Sequence, residues 1–135
     1  MLSKFIAAGA LYLFCLCASL AWGHHSFGNI YDSSQNVTIE GVVAEFMFVH
    51  PHPFLVIDVT REGRKHSWRG EMDNRFELSD IGIRADTFKP GDRVVVSGSP
   101  GRNEERTLYV WKLERPADGL VYEQIGSTPH VNLPR

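Results

Sequence analysis

The chain has 135 residues, with 14 Lys and Arg against 16 Asp and Glu and a formal net charge of −2 at pH 7. The length allows one small domain, and the balance of charge lacks the basic surplus that drives nucleic-acid binding. Both cysteines, Cys15 and Cys17, lie in an apolar leader, so the chain beyond it can hold neither a disulfide nor a cysteine-ligated zinc.

Residues 1–23 carry one positive side chain, Lys4, then an apolar run from Phe5 to Leu20, then Ala21-Trp22-Gly23 with small residues at the last and third-last positions. This is the layout of a secretory signal peptide. The run nearly reaches the about 20 residues that span a bilayer, but it ends in small residues rather than a positive stop-transfer flank, so cleavage is expected and no membrane association after it. What remains is about 112 residues, 13 basic and 16 acidic, with a net charge of −3. The expected location is the periplasm or the exterior.

The segment 24–36 is polar and without period, an arm that Phe27, Ile30 and Tyr31 would pin to the body. From Val37 to Val49 the chain is rich in β-branched and aromatic residues, and Gly41 interrupts the alternation where a long strand would bend or bulge. Phe54 to Thr60 is a second strand with Leu55, Ile57 and Val59 on one face. Between the two lies His50-Pro51-His52-Pro53, whose prolines cannot donate to a ladder and which therefore reads as a break at the sheet rim. A turn at Arg61-Glu62-Gly63-Arg64 leads into a third strand, Lys65 to Met72, in which Trp68 reads as a core residue or a lid on one barrel end.

Asp73 to Phe88 reads as one short helix with a loop. Lys89-Pro90-Gly91-Asp92 is a turn, since proline presets φ and glycine supplies positive φ, and it delivers the chain into a strand from Arg93 to Gly98. Thr107 to Glu114 alternates cleanly, with Leu108, Val110 and Lys112 opposite Tyr109, Trp111 and Leu113. Leu120 to Tyr122 is a short last strand. The expected organisation is 1–23 signal peptide, 24–36 arm, 37–123 β-barrel domain and 124–135 loose tail. The fold class is all-β, a five- to six-stranded, partly open barrel of the oligonucleotide/oligosaccharide-binding type with one short helix between the third and fourth strands.

Four of the six histidines fall in two clusters, His24-His25 and His50-Pro51-His52, and clustered imidazoles suit a late first-row metal. A cut after Gly23 leaves His24 first, where its α-amine and ring nitrogen can chelate copper together. A cut after Trp22 or Ala21 puts His25 or His24 third, the arrangement that binds Cu(II) through backbone amides. His50 and His52 would complete the set, with Glu71 as a further acceptor for an imidazole N–H. The plainer readings are a solvated polar arm and a proline corner whose histidines cap strand ends. Met47 and Met72 read as core filler. No nucleophile elbow, phosphate-cradling glycine loop, HExxH or CxxC occurs, which favours metal handling or sensing over catalysis.

His24-His25-Ser26-Phe27, Tyr31-Asp32, Val37-Thr38-Ile39-Glu40-Gly41, Pro51-His52, Trp68, Glu71 and Lys89-Pro90-Gly91-Asp92-Arg93-Val94 together resemble an exported bacterial family of unknown function, domain family 6152. The resemblance implies a periplasmic or secreted small β-domain and brings no established activity. The family usually carries Asn-Pro-His where this chain has His50-Pro51-His52, so His50 is a departure, and His24, His25 and His52 form the stronger set. The alternative is a metal-free adaptor that uses Phe46, Phe48, Trp68 and Trp111 to bind a protein, peptide or glycan.

Overall fold

The computed structural model describes residues 27–134, so the apolar segment with both cysteines and the His24-His25 pair lie outside the described residues. The elements in order are α1 (Phe27–Ile30), β1 (Val37–Met47), β2 (Phe54–Arg61), β3 (Arg64–Glu71), α2 (Arg75–Asp80), β4 (Arg93–Pro100), β5 (Thr107–Arg115), β6 (Leu120–Ile125) and β7 (Thr128–Asn132). Neighbouring strands run antiparallel in the order β3-β2-β1-β4-β5-β6-β7, and a further parallel pairing of β3 with β5 joins the sheet to itself. That pairing sets Arg69 against Thr107, Gly70 against Leu108 and Glu71 against Tyr109. The expected small barrel of five to six strands, with a helix between the third and fourth, is present with five strands, and it is closed rather than partly open. β6 and β7 extend the sheet beyond it.

Inward positions follow the strand period. Leu55, Ile57 and Val59 of β2, Val94 and Val96 of β4, and Leu108, Val110 and Leu113 of β5 are all buried. α2 starts at Asn74, whose side-chain oxygen accepts the Glu77 N–H at 3.0 Å, a normal cap for an orphan donor. The helix and the loop after it add Leu78, Ile83 and Phe88 to the core, and Met72 fills it, as expected of a buried methionine. The hairpin turn places Glu62 at φ 51° and Gly63 at φ 72°. Two positive angles in succession match the twist of the flanking strands.

Three local readings change. The register shift in β1 lies between Val43 and Glu45, not at Gly41. Gly41 is instead a point of close approach, where a Cβ would stand 2.5 Å from the Asp58 carbonyl oxygen. In β5, Lys112 faces Ser97 and Val110 faces Gly98, so Trp111 is the extra residue of a bulge. A bulge inverts the alternation, and so Leu113 points inward with Val110 rather than outward with Tyr109. The third change is at the carboxyl end, where 124–135 is not a loose tail. β6 runs on to Ile125, Gly126 turns at φ 61°, and β7 pairs with β6 from Thr128 to Asn132. β7 is an edge strand, the place where a sheet tolerates a residue such as Pro129 that has no N–H.

The β5 bulge brings the Tyr109 carbonyl onto Gly98, where a Cβ would stand 1.9 Å from its oxygen. Backbone cannot yield there as a side-chain tip can. Gly98→Ala is expected to cost at least about 2 to 3 kcal/mol in chemical denaturation. Gly63→Ala, with no neighbour within 4 Å, is expected to cost about 1 kcal/mol from its positive φ alone.

Candidate functional site

Tyr109 and Trp111 lie on the outer side of β5, beside the seam where β3 and β5 join, and the arm covers them. The Phe27 ring meets Tyr109 edge-on at 4.9 Å and lies 5.6 Å from Trp111 and 5.4 Å from Tyr31. The Trp111 indole N–H donates to Ser99 Oγ at 2.7 Å. Backbone bonds fix the arm to the β4–β5 loop: Asp32 N–H to Pro100 O at 2.9 Å and Arg102 N–H to Ile30 O at 2.8 Å. The Arg102 side chain adds a bond to Gly28 O at 2.8 Å and an ion pair to Asp32 at 3.2 Å. Phe27 and Tyr31 thus pin the arm as expected, while Ile30 stays 45% exposed.

The Tyr31 hydroxyl donates to Glu71 Oε2 at 2.9 Å, and Arg69 stands 3.8 Å from the same oxygen. Glu71, read from sequence as an acceptor near the site, therefore already holds the arm. Two residues on, Asp73 accepts the Gln124 amide at 2.7 Å, and Gln124 in turn accepts the buried Tyr122 hydroxyl at 2.8 Å. Burial first, then the Glu71 carboxylate, pushes the Tyr31 phenol well above its usual range. Tyr109 is raised in the same direction by burial and then by Asp73, Glu71 and Glu77, and Tyr122 by burial and then by Tyr109 and Asp73. Three carboxylates therefore act on the Tyr109 phenol, while Arg69, 3.8 Å from Glu71, opposes them at Tyr31.

His52 lies beside this region. Its backbone is held between two bonds, Met72 N–H to Pro53 O at 2.8 Å and Arg75 N–H to Pro51 O at 3.1 Å. Its ring is half-buried, and Nδ1 is shielded from water without a hydrogen-bond partner among the described residues. A shielded polar atom left unpaired is uncommon, because burial removes its bonds to water. Glu77 Oε2 is the other such atom. His50, after which comes a cis peptide to Pro51, points elsewhere, exposed and with its ring 4.8 Å from that of Phe76. Phe76 is itself 71% exposed. Among the described residues no three His, Cys, Asp or Glu side chains gather as a metal-holding group.

Of the aromatics that could form a binding face, Trp111 is covered by Phe27 and Phe46 packs edge-on against Phe88 at 5.1 Å. Phe48 lies under the Arg75 guanidinium at 5.0 Å. Trp68 is half-buried against the core and lines a groove at the far end of the barrel. The Phe27–Tyr109–Trp111 stack and the Tyr31–Glu71 bond escape a reading of the sequence, since each joins segments about 40 or more residues apart and only the alternation of Tyr109 with Trp111 hints at them.

The fold and the seam define a class: a closed five-stranded β-barrel with a helix between its third and fourth strands and an amino-terminal arm stapled across the seam. The chain belongs to the family of unknown function DUF6152, whose model matches residues 12–109. The match begins within the apolar segment, ends in β5 and leaves β6 and β7 outside. A comparison with curated proteins finds no match.

The raised tyrosines make a test of this packing. The folded state holds their protons more tightly than the unfolded chain, so the stability they confer is complete below the ordinary tyrosine value of 10.0 and is lost as pH rises above it. In a protein beginning at residue 24, phenolate absorbance is expected to appear only together with loss of the folded circular-dichroism signal. Phenolate formation at the ordinary pH in a protein that stays folded would contradict the packing around Tyr31, Tyr109 and Tyr122.

Proposed function

We propose that this is an exported domain that binds a transition metal, copper above others, through His24 and His25 of the arm and His52 of the barrel, with His50 as an additional ligand from the exposed side. The observation that carries the reading is the unpartnered, shielded Nδ1 of His52, in the connection that leads into β2, two strands across from β5, on which the arm is seated. Phe27 is seated on Tyr109, Tyr109 is level with Glu71 on the adjacent strand, and Glu71 is level with Phe54 on the next. That is about 10 Å across two strand spacings, with His52 two residues beyond Phe54. His25 and His24 precede Phe27 by two and three residues, a backbone reach of about 7 to 11 Å, to which the imidazole side chains on both sides add, so chain length permits the two histidine groups to meet.

The chemistry supports copper. Neutral imidazole and a free amine are nitrogen donors, and copper heads the divalent series for such ligands. The carboxylates of Glu71, Asp73 and Glu77 add a negative field that favours a cation. Metal handling or sensing follows more readily than catalysis, because nothing near the seam is arranged as a nucleophile with its base.

The test is a copper and zinc titration of the purified protein with its amino terminus defined by intact mass. One copper per chain is expected, with quenching of Trp111 fluorescence because the arm lies against that ring. Replacing both His24 and His25 by Ala should abolish tight binding, and His52→Ala should weaken it at least about tenfold. Affinity should fall as the solution is acidified from about pH 8 to about pH 5, since imidazole binds metal only when deprotonated. Absence of saturable binding in the intact protein, or binding indifferent to all three histidines, would overturn the reading.

A further inference from the structure

At one end of the closed barrel β1 and β2 diverge. Their ladder ends at Val42 opposite Asp58, and beyond it residues 37–41 pair only with β4 while residues 59–61 pair only with β3. The strands part to leave a groove of about 410 Å³, within the range of small-molecule sites. Its floor is apolar, made by Ile39, Val59 and the half-buried Trp68, and its rim carries Arg61, His66 and Arg106.

The rim is rich in donors. Arg106 holds a left-handed backbone at φ 58°, unusual for a long side chain, and its carbonyl is tied to the Arg69 N–H at 2.8 Å. Its Nη1 lies 3.2 Å from His66 Nδ1. A guanidinium can only donate, so Nδ1 accepts and the ring proton sits on Nε2, a further donor. Among the described residues neither Arg61 nor Arg106 has an ion-pair partner. Glu40, at the groove's edge, is taken by Arg93 at 2.8 Å, and Glu105 is the one acidic neighbour left.

We propose that this groove is a binding site for a small organic anion, a carboxylate or phosphate carried on an apolar or ring-shaped body. The body lies against Trp68, whose flat face suits a ring, and the anionic group meets the two guanidinium groups, whose forked donors fit carboxylate and phosphate oxygens. The site stands at the opposite end of the barrel from His52 and is independent of metal.

Benzoate, phenyl phosphate and neutral benzyl alcohol serve as probes, read by NMR from the indole N–H resonance of Trp68, which is assigned by its loss in Trp68→Phe. Both anions, or one of them, should shift that resonance saturably while benzyl alcohol does not, and preference between the two anions distinguishes carboxylate from phosphate. Arg106→Gln and, separately, Arg61→Gln should weaken the anion at least about tenfold in variants whose melting is unchanged. Equal binding of benzyl alcohol, a response to inorganic phosphate alone as strong as to phenyl phosphate, absence of saturable shifts, or wild-type affinity in both arginine variants would overturn the proposal.

Discussion

The parallel pairing of β3 with β5 is the contact on which the rest depends. It closes the barrel with only three residue pairs, and it needs β5 to change face along its length. The bulge at Trp111 makes that change, and it is possible because position 98 carries no side chain to collide with the Tyr109 carbonyl. The first half of β5 then aims Leu108 and Val110 into the barrel and sets Tyr109 outward beside Glu71. The second half turns Leu113 inward and leaves its edge to β6.

Closure also creates the surface that the arm occupies. Two outward aromatics on a closed barrel would be an exposed apolar patch. Phe27 covers them, and Tyr31 adds a hydrogen bond to Glu71 from the same short segment. The arm is thus a structural part of the domain from Phe27 onward. Its placement fixes where the described chain begins, on Tyr109 and Trp111 beside the β3–β5 seam. Two of the carboxylates there are answered, Glu71 by the Tyr31 hydroxyl and Arg69 and Asp73 by the Gln124 amide, while Glu77 Oε2 is shielded without a partner among the described residues.

The two ends of the barrel differ in what they offer a ligand. Toward the β1–β2 connection the unpartnered groups are the shielded imidazole nitrogen of His52 and Glu77 Oε2, both of a kind that suits a cation. In the groove between β1 and β2 they are guanidinium groups and an imidazole N–H over an indole floor, which suit an anion with a flat body. Neither Phe46, packed on the core against Phe88, nor Trp111, covered by Phe27, offers a free aromatic face.

Local chemistry in the sequence determined much of this protein. β-Branched alternation marked the strands, Glu62-Gly63 and Pro90-Gly91-Asp92 marked turns, the apolar positions between Asp73 and Phe88 marked a short helix, and the clustering of histidines singled out His24, His25, His50 and His52. These features rest on neighbours a few residues apart, so the linear order contains them. Tertiary structure decided the rest: the bulge at Trp111 that reverses the faces of β5, the close approach that requires Gly41, the pairing of β7 with β6 despite Pro129, and the separation of a shielded His52 from an exposed His50. Each of these depends on which strand lies opposite which, a matter of register between distant segments that no local period specifies.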